Sequence, residues 1–203
     1  MNVLGISATP RENGNSEILL QYALRPFEEE RWQVRHYRLR GMTIEPCRAC
    51  DECRSGGLCV IKDDMHHIYQ AFRWCHALII SSPVYSRNIP AQLMAVLDRH
   101  YAVNVERPLQ TKVGGAIAVG AGTCGGQTIT IAAIYNWMLS CGVICVPGEL
   151  NGVTAVASEA GEILKQEHRL TQAVILGRNV LEVARTLPSH MPNKSSLNGL
   201  PQS

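Results

Sequence analysis

Four cysteines carry the most specific chemistry in this sequence. They lie within residues 47–59 in the order Cys-x2-Cys-x2-Cys-x5-Cys, at positions Cys47, Cys50, Cys53 and Cys59. A four-iron four-sulfur (4Fe-4S) cluster takes thiolates around one compact inorganic body, and cysteines three residues apart on a curled loop can reach three of its irons. The glycines at positions 56 and 57 allow the backbone to turn back, so that Cys59 can supply the fourth ligand. The spacing therefore favours a 4Fe-4S cluster.

Other interpretations of these cysteines stay open. A structural zinc site normally joins two Cys-x2-Cys knuckles across a longer element, and the sequence has no second knuckle of that kind. Redox-active thiols would need no metal at all. Arg48 and Arg54, between the cysteines, would offset the negative charge of a thiolate-bound cluster, although exposed arginines are also ordinary solvated charge.

Length and composition limit the class of protein. The 203 residues, 46% of them hydrophobic and 18% charged, are enough for one filled core. We expect one domain over residues 1–187 with the cluster loop at 46–60, followed by a flexible tail at 188–203. A net charge of +2 without a basic stripe argues against nucleic-acid binding.

The same sequence predicts no membrane association. The first strand is expected to begin at residue 2, without a basic leader segment, and no apolar run approaches the roughly 18 residues of a membrane span. We therefore expect a cytoplasmic location, where the eight cysteines would serve as metal ligands or buried thiols rather than disulfides.

The order of apolar runs predicts an α/β fold. Short β-type runs alternate with helical patterns, as in a parallel sheet covered by helices on both faces. Strands are predicted at 2–6, 33–39, 77–81, 113–119 and 143–146. Helices are predicted at 16–25, 63–73, 90–100 and 127–140, with a long last helix through 170–184. Pro26 is expected to kink or end the first helix.

Ligands of such a sheet bind at the carboxyl ends of its strands, which makes the loops there the candidate site. The loop at 7–16 brings hydroxyls, amides, Arg11 and Gly14 directly ahead of a helix, which suits a phosphate. It matches neither Gly-x-Gly-x-x-Gly nor Gly-x4-Gly-Lys-Ser/Thr, so a terminal monophosphate fits better than a pyrophosphate. An ordinary polar turn with Ser or Asn capping the helix would use the same residue types.

Two further loops favour a planar ring. The loop at 82–90 places Tyr85 and backbone amides between two prolines, which suits the edge of a heterocycle. The loop at 120–127 has four glycines in its first seven residues, so that its backbone can approach a flat ring without side-chain obstruction.

Together these motifs resemble the NADPH-dependent FMN reductase superfamily of flavodoxin-like proteins, over residues 1 to about 185. The resemblance is carried by Ser-x-Thr-Pro-Arg-x-Asn-Gly-Asn-Ser, by Ser-Pro-Val-Tyr followed by Pro-Ala-Gln-Leu and Leu-Asp-Arg, and by Gly-Gly-Gln. The cysteine run narrows it to the iron-sulfur flavoproteins. It implies FMN and a flavodoxin-like, doubly wound five-stranded parallel sheet of order 2-1-3-4-5, with the cluster loop after strand 2.

The resemblance also implies roles for residues at matching positions. The FMN phosphate would be held by Ser7, Thr9, Arg11, Asn13, Asn15 and Ser16. The isoalloxazine edge would meet Pro83, Val84, Tyr85, Ser86 and Asn88, with Gly125 and Gly126 near the ring. In that family subunits associate so that a cluster can face the FMN of a neighbouring chain. A homodimer or homotetramer is therefore implied, with electrons passing from reduced ferredoxin through the cluster to FMN and on to a small acceptor such as oxygen or peroxide.

This chain departs from the family pattern beside the expected flavin. Arg87 stands where glycine is common, Cys124 stands where many members have arginine, and Thr128 stands where many have glutamate. Arg87 and Cys124 are thus the candidate catalytic residues, the first for an anionic substrate and the second as a redox thiol. An exposed structural arginine and a small residue tolerated in a glycine loop are the alternatives.

The function expected from these motifs is that of an oxidoreductase with FMN and a 4Fe-4S cluster. A cluster handles single electrons whereas a flavin stores one or two, so the pair can convert between the two modes. Two alternatives remain: an FMN-dependent dehydrogenase or reductase of one anionic metabolite, and a non-catalytic electron carrier or redox sensor.

Overall fold

The alternating strand and helix patterns form one parallel sheet with helices on both faces. The computed structural model describes residues 1–55 and 58–187. Its strands are β1 (Asn2–Ser7), β2 (Gln33–Arg38), β3 (Ala77–Pro83), β4 (Val113–Gly120), β5 (Ile144–Cys145) and β6 (Val153–Val156). Its helices are α1 (Asn15–Glu29), α2 (Met65–Trp74), α3 (Ala91–Arg99), α4 (Gln127–Ser140) and α5 (Glu167–Thr186), with short 3-10 helices at Glu52–Ser55, His100–Glu106 and Glu162–Lys165.

The sheet has the strand order β2-β1-β3-β4-β5, and all its pairs are parallel. This order confirms the flavodoxin-like fold expected from the sequence. Because parallel strands end at the same edge, the loops after β1, β3 and β4 meet where a ligand of such a sheet binds.

The sheet separates two hydrophobic cores. Alternate residues of β3 enter opposite cores: Leu78 and Ile80 pack on the α2, α3 and α4 side, whereas Ala77 and Ile79 pack on the α1 and α5 side. Burial on both faces is why β3 and β4 are near-continuous apolar runs in the sequence. These buried strands form a rigid base for the loops at their carboxyl ends.

The first helix does not end at about residue 25, as the sequence predicts from Pro26. Pro26 lies inside α1, which continues to Glu29. The next turn is stabilised by the buried ring of Phe27, which packs edge-on against Trp32 at 5.2 Å between centroids. The Glu30 N–H also donates to the Pro26 carbonyl. This packing offsets the hydrogen bond that proline removes.

The predicted fifth strand at 143–146 is also corrected. Residues Ile144–Cys145 pair with the start of β4, the chain then leaves the sheet through Pro147, and it returns as β6. β6 pairs with the second half of β4 from Ile117 to Gly120. Two short segments thus share one edge of the eight-residue β4. The return of the chain brings residues 157–161 to the carboxyl edge of the sheet.

Two sequence expectations fall outside the part of the chain that the structure describes. They are the backbone reversal at glycines 56 and 57, and the flexible tail at 188–203. Within residues 1–55 and 58–187, no helix has both the length and the apolar character required to cross a bilayer.

Candidate functional site

A cavity of about 420 Å³ opens at the carboxyl edge of the sheet. Its walls come from the segments after β1, β3, β4 and β6. They include Thr9, Arg11, Gly14, Asn15 and Ser16 from the first, Pro83, Val84 and Tyr85 from the second, Val119 and Ala121 from the third, and Ala157, Ser158, Glu159 and Ala160 from the fourth. The cavity therefore gathers many of the residues predicted for a flavin, although they are far apart in sequence.

The loop from β1 to α1 has the properties of an anion site. Helix α1 begins after Gly14 with no side chain capping its first amides, so its amino-terminal N–H groups face the cavity. The Thr9 hydroxyl accepts the Arg11 N–H at 3.2 Å and fixes the turn. A methyl group on Gly14 would meet the Thr9 hydroxyl oxygen at 2.4 Å, so this close approach requires glycine.

Buried hydroxyls give the sharpest sign that this end of the cavity binds an anion. The Ser16 hydroxyl lines the cavity at the start of α1, is buried, and has no hydrogen-bond partner. The Ser7 hydroxyl is likewise buried and unpartnered. Since buried polar groups are normally paired, a phosphate above the helix terminus fits the unpartnered Ser16 hydroxyl together with the free amides.

Other residues predicted for the phosphate make contacts within the protein. The Asn15 amide nitrogen donates to the Glu159 carbonyl at 2.7 Å, and its oxygen accepts the Ile163 N–H at 3.1 Å. Arg11 Nη1 donates to the Ser158 carbonyl at 2.8 Å, while the Asn13 carbonyl accepts a backbone N–H from residue 161. The phosphate loop is therefore tied to the segment after β6.

The segment 157–161 was missed by the sequence analysis. It places Ser158 and Glu159 at the cavity wall. Glu162 fixes its conformation by accepting the N–H groups of Ser158 and Glu159 at 2.6 and 3.0 Å. The sequence predicts no strand at β6, because its four residues follow the predicted last strand without a helix between them. The position of segment 157–161 at the end of a strand therefore went unrecognised.

The loop after β3 is a tight turn. Tyr85 and Asn88 exchange backbone hydrogen bonds at 2.8 and 2.9 Å across Ser86 and Arg87, both left-handed with φ of +46° and +66°. Two left-handed central residues characterise a type I′ turn, in which glycine or asparagine is preferred. The turn presents the exposed face of Tyr85 to the cavity and Arg87 to the neighbouring loop.

The glycine loop after β4 packs backbone to backbone on that turn. Gly126 has φ of +100°, and a methyl group there would lie 2.6 Å from the Arg87 Cα. Arg87 Nη1 donates to the Cys124 carbonyl at 3.3 Å. Gly125 and Gly126 lie beside the cavity rather than in its lining, and Cys124 is exposed. Both predicted catalytic candidates therefore take part in the contact between the two loops.

The cysteine loop lies after β2 and packs beside the 3-10 helix that follows α3. Cys47 and Cys50 are exposed, Cys53 and Cys59 are partly buried, and all eight cysteines are free of disulfides. Ala49 and Asp51, between the first three cysteines, are left-handed with φ of +51° and +59°. Such conformations are costly for residues other than glycine and cluster at functional sites.

The Cys53 thiol is close enough to the other three thiols of the loop for their charges to act on it. Burial raises the pKa of the Cys53 thiol, and the charges of Cys59, Cys47 and Cys50 raise this pKa further. The Ala49 N–H approaches the Cys47 sulfur at 3.5 Å, a contact typical of thiolate ligands. Over residues 1–55 and 58–187, no three cysteine, histidine or carboxylate side chains stand in ready-made metal geometry. As a donor set, four thiols on one strained loop fit an iron-sulfur cluster.

Comparison with known proteins assigns the family. Residues 1–157 match the family described as NADPH-dependent FMN reductase. An iron-sulfur flavoprotein of Methanocaldococcus jannaschii is 35% identical over 191 residues, which cover 92% of this chain and 99% of that protein. One of Methanosarcina thermophila is 38% identical over 147 residues, which cover 72% and 77% of the two chains. The chain belongs to the FMN reductase family and, within it, to the iron-sulfur flavoproteins.

Solved structures agree on the architecture. A flavodoxin-like WrbA-like protein from Agrobacterium tumefaciens superposes with a TM-score of 0.65 at 17% identity, over 91% of this chain and 97% of that one. At that identity the likeness shows the fold alone. Family membership, with the fold, makes this protein a flavin-dependent oxidoreductase.

In this iron-sulfur flavoprotein the arginine that hydrogen-bonds a thiol of the cysteine loop is not one that the sequence singled out. Arg48 pairs with Glu45, and Arg54 pairs with Asp51 at 3.1 Å, so both exposed guanidinium groups already have carboxylate partners. Arg99, at the end of α3, is instead buried and directs Nη2 to the Cys59 sulfur at 3.5 Å.

Proposed function

We propose that this protein is an FMN- and 4Fe-4S-dependent oxidoreductase that relays electrons from a one-electron donor such as ferredoxin to FMN and a small acceptor. The observation that carries the proposal is the presence, on one chain, of two separate sites of matching chemistry. One is the cavity above the uncapped start of α1, with its buried unpartnered Ser16 hydroxyl. The other is the cysteine loop, which carries four free thiols.

The cavity suits FMN in both shape and charge. The free amides of α1, the Ser16 hydroxyl and the Thr9 turn would hold its phosphate, and Arg11 lies at the cavity wall as a cation. Pro83, Val84 and Tyr85 would line the ring, with the glycine loop leaving open backbone beside it. The segment 157–161 closes the remaining wall.

The cysteine loop would hold the cluster through Cys47, Cys50, Cys53 and Cys59. When both groups are bound, the cluster supplies single electrons and the flavin accepts one or two. The contribution of the chain is to fix the loop geometry. It does so through left-handed Ala49 and Asp51 and through the buried contacts of Arg99.

We also propose that the protein is a homodimer or homotetramer. Helix α4 has no charged residue over Gln127–Ser140, and Ile129 and Leu139 are exposed on it by 47% and 61%. A helix that is apolar on all sides is normally covered. Eight cysteines free of disulfides suit the reducing cytoplasm, which is our proposed location.

Anaerobic purification tests the cofactor content. We expect about four irons, four acid-labile sulfides and one FMN per chain, and loss of iron and sulfide in Cys50→Ala, because a cluster iron left without its thiolate is labile. Stoichiometric zinc without labile sulfide would contradict the cluster.

The relay is tested with Cys47→Ala/Cys50→Ala. This variant should keep FMN, because the cavity residues are separate from the cysteine loop, and yet lose flavin reduction by ferredoxin in anaerobic stopped-flow measurements. A two-electron hydride donor should still bleach its flavin, since it reacts at the ring directly.

Cys124→Ala separates the relay from the redox-thiol alternative, because it removes an exposed cysteine outside the loop. Under the relay it should retain ferredoxin-driven reduction. Equal rates with and without the cluster would exclude the relay, whereas loss of activity in Cys124→Ala alone would favour a redox thiol beside the flavin.

A further inference from the structure

We infer that Arg99 is the positioning residue of the cluster loop and that its hydrogen bond to Cys59 raises the reduction potential of the cluster. The inference rests on the proposed function, since it presumes a cluster on this loop. It concerns a residue outside the cysteine motif, 40 positions away from the thiol that it contacts.

Arg99 is buried in a way that arginine rarely is. Its side chain is 1% exposed, and its guanidinium donates in several directions. Nη1 contacts the Glu45 carbonyl at 3.1 Å and the Asp63 carboxylate, while Nη2 contacts the Ile61 carbonyl at 3.3 Å and the Cys59 sulfur at 3.5 Å. One side chain therefore joins both ends of the cysteine loop.

Asp63 completes this connection. Its carboxylate, 4% exposed, accepts the Glu45 N–H at 2.8 Å and the Met65 N–H at 3.1 Å in addition to the Arg99 contact. Hydrogen bonds thus connect Glu45, before the first cysteine, and Ile61, after the last cysteine, to the start of α2. The planar fork of arginine can serve several such acceptors at once, which an ammonium group cannot do in the same geometry.

The contact to Cys59 has an electrostatic consequence. A cationic N–H donor beside a cluster thiolate stabilises the reduced form, which carries one more negative charge, so it raises the reduction potential. Burial weakens the screening of this charge by solvent and salt. Arg48 and Arg54 are exposed, so solvent and salt screen their charges and they should influence the potential much less.

Three variants test the inference by iron and sulfide analysis, FMN content and redox titration of the cluster followed by EPR. Arg99→Lys keeps the charge but not the fork, and Arg99→Gln removes both. We expect a more negative cluster potential in both variants, with the greater shift and partial loss of iron and sulfide in Arg99→Gln. The matched control Arg48→Gln removes an exposed cation from the same loop and should keep the potential and the cluster content of the wild type.

Asp63→Asn separates electrostatics from loop geometry. It leaves Arg99 beside Cys59 but removes the compensating negative charge, so the potential should shift in the opposite direction, to a more positive value. A purely structural role would give no such reversal of sign. A wild-type potential in both Arg99 variants, or a shift of the same sign in Asp63→Asn, would overturn the inference while the cluster assignment stands. Absence of labile sulfide from the wild-type protein would instead overturn the proposed function, and this inference with it.

Discussion

At the scale of single residues, the buried hydroxyl of Ser16 distinguishes the ligand site from an ordinary polar turn. A serine that capped α1 would donate or accept within the loop, yet this hydroxyl has no partner in the structure and the helix start has no side-chain cap. Leaving a buried polar group unpaired costs about 1–3 kcal/mol, so this cost is offset only when a ligand meets it.

Ser16→Ala should therefore affect the two states of the protein differently. Without FMN, stability should be unchanged or slightly higher, because no hydrogen bond is lost. With FMN, affinity should fall by about 1–3 kcal/mol, the value of a hydrogen bond to a charged phosphate. Urea unfolding of the FMN-free protein and fluorescence titration with FMN measure the two effects.

Ser140→Ala is the control, since it removes an exposed hydroxyl at the end of α4 and should leave FMN affinity unchanged. Unaltered affinity in Ser16→Ala would place the phosphate elsewhere.

At the scale of elements, the flavin cavity depends on how closely two loops approach each other. The turn at Tyr85–Asn88 and the glycine loop meet backbone to backbone, with no room for a side chain at position 126. Arg87 has a left-handed backbone conformation that glycine adopts at lower energetic cost. Its guanidinium donates a hydrogen bond to the Cys124 carbonyl.

A pair of glycine substitutions tests this contact. Gly126→Ala should lower the free energy of unfolding by about 1–3 kcal/mol through backbone strain. It should also weaken FMN binding, because the added methyl group displaces the Arg87 backbone. Gly122→Ala, in the same loop, meets nothing within 4 Å and should be tolerated. Thermal unfolding with and without FMN compares them, and equal behaviour of the two variants would contradict a tight contact between the loops.

At the scale of the whole molecule, buried histidines make the fold sensitive to acid. Burial lowers the pKa of His100 to about 4, and this ring packs edge-on against Phe72 and Trp137 in the core. His36 in β2 also has a pKa lowered to about 4, chiefly by burial and further by Arg38. Both imidazoles are therefore neutral in the folded protein at neutral pH.

Folding stability should fall as the pH drops from about 6.5 towards 4. In that window the unfolded chain binds protons at these histidines and the folded chain does not, so each can contribute up to about 3 kcal/mol of pH-dependent loss. His100→Leu should flatten the dependence in urea unfolding measured between pH 7.5 and 4.5. His168→Leu, which removes an exposed histidine, is the control and should keep the wild-type slope. The same slope in His100→Leu would show that the pKa of this histidine does not differ between the folded and the unfolded protein.

Much of the architecture could be predicted because its signals are local. The uncharged, mostly apolar run of α4 and the unbroken apolar run of β4 each lie within one short window of sequence, so their predicted bounds agree closely with the structure. The cysteine spacing and the polar loop after β1 are local signals as well, and they were enough to indicate two sites of different chemistry.

Contacts between residues far apart in the chain are determined by the tertiary structure alone. β6 pairs with the second half of β4, and its short segment has no strong signal of its own in the sequence. Asp63, recognisable as a carboxylate at a helix start, is in addition the ion-pair partner of Arg99, and Arg99 reaches Cys59 only because α3 ends beside the cysteine loop. The spacing of ligand residues in the sequence determines which cofactor one loop can hold. The pairing of strands and the packing of helices determine which charged side chains lie beside that loop.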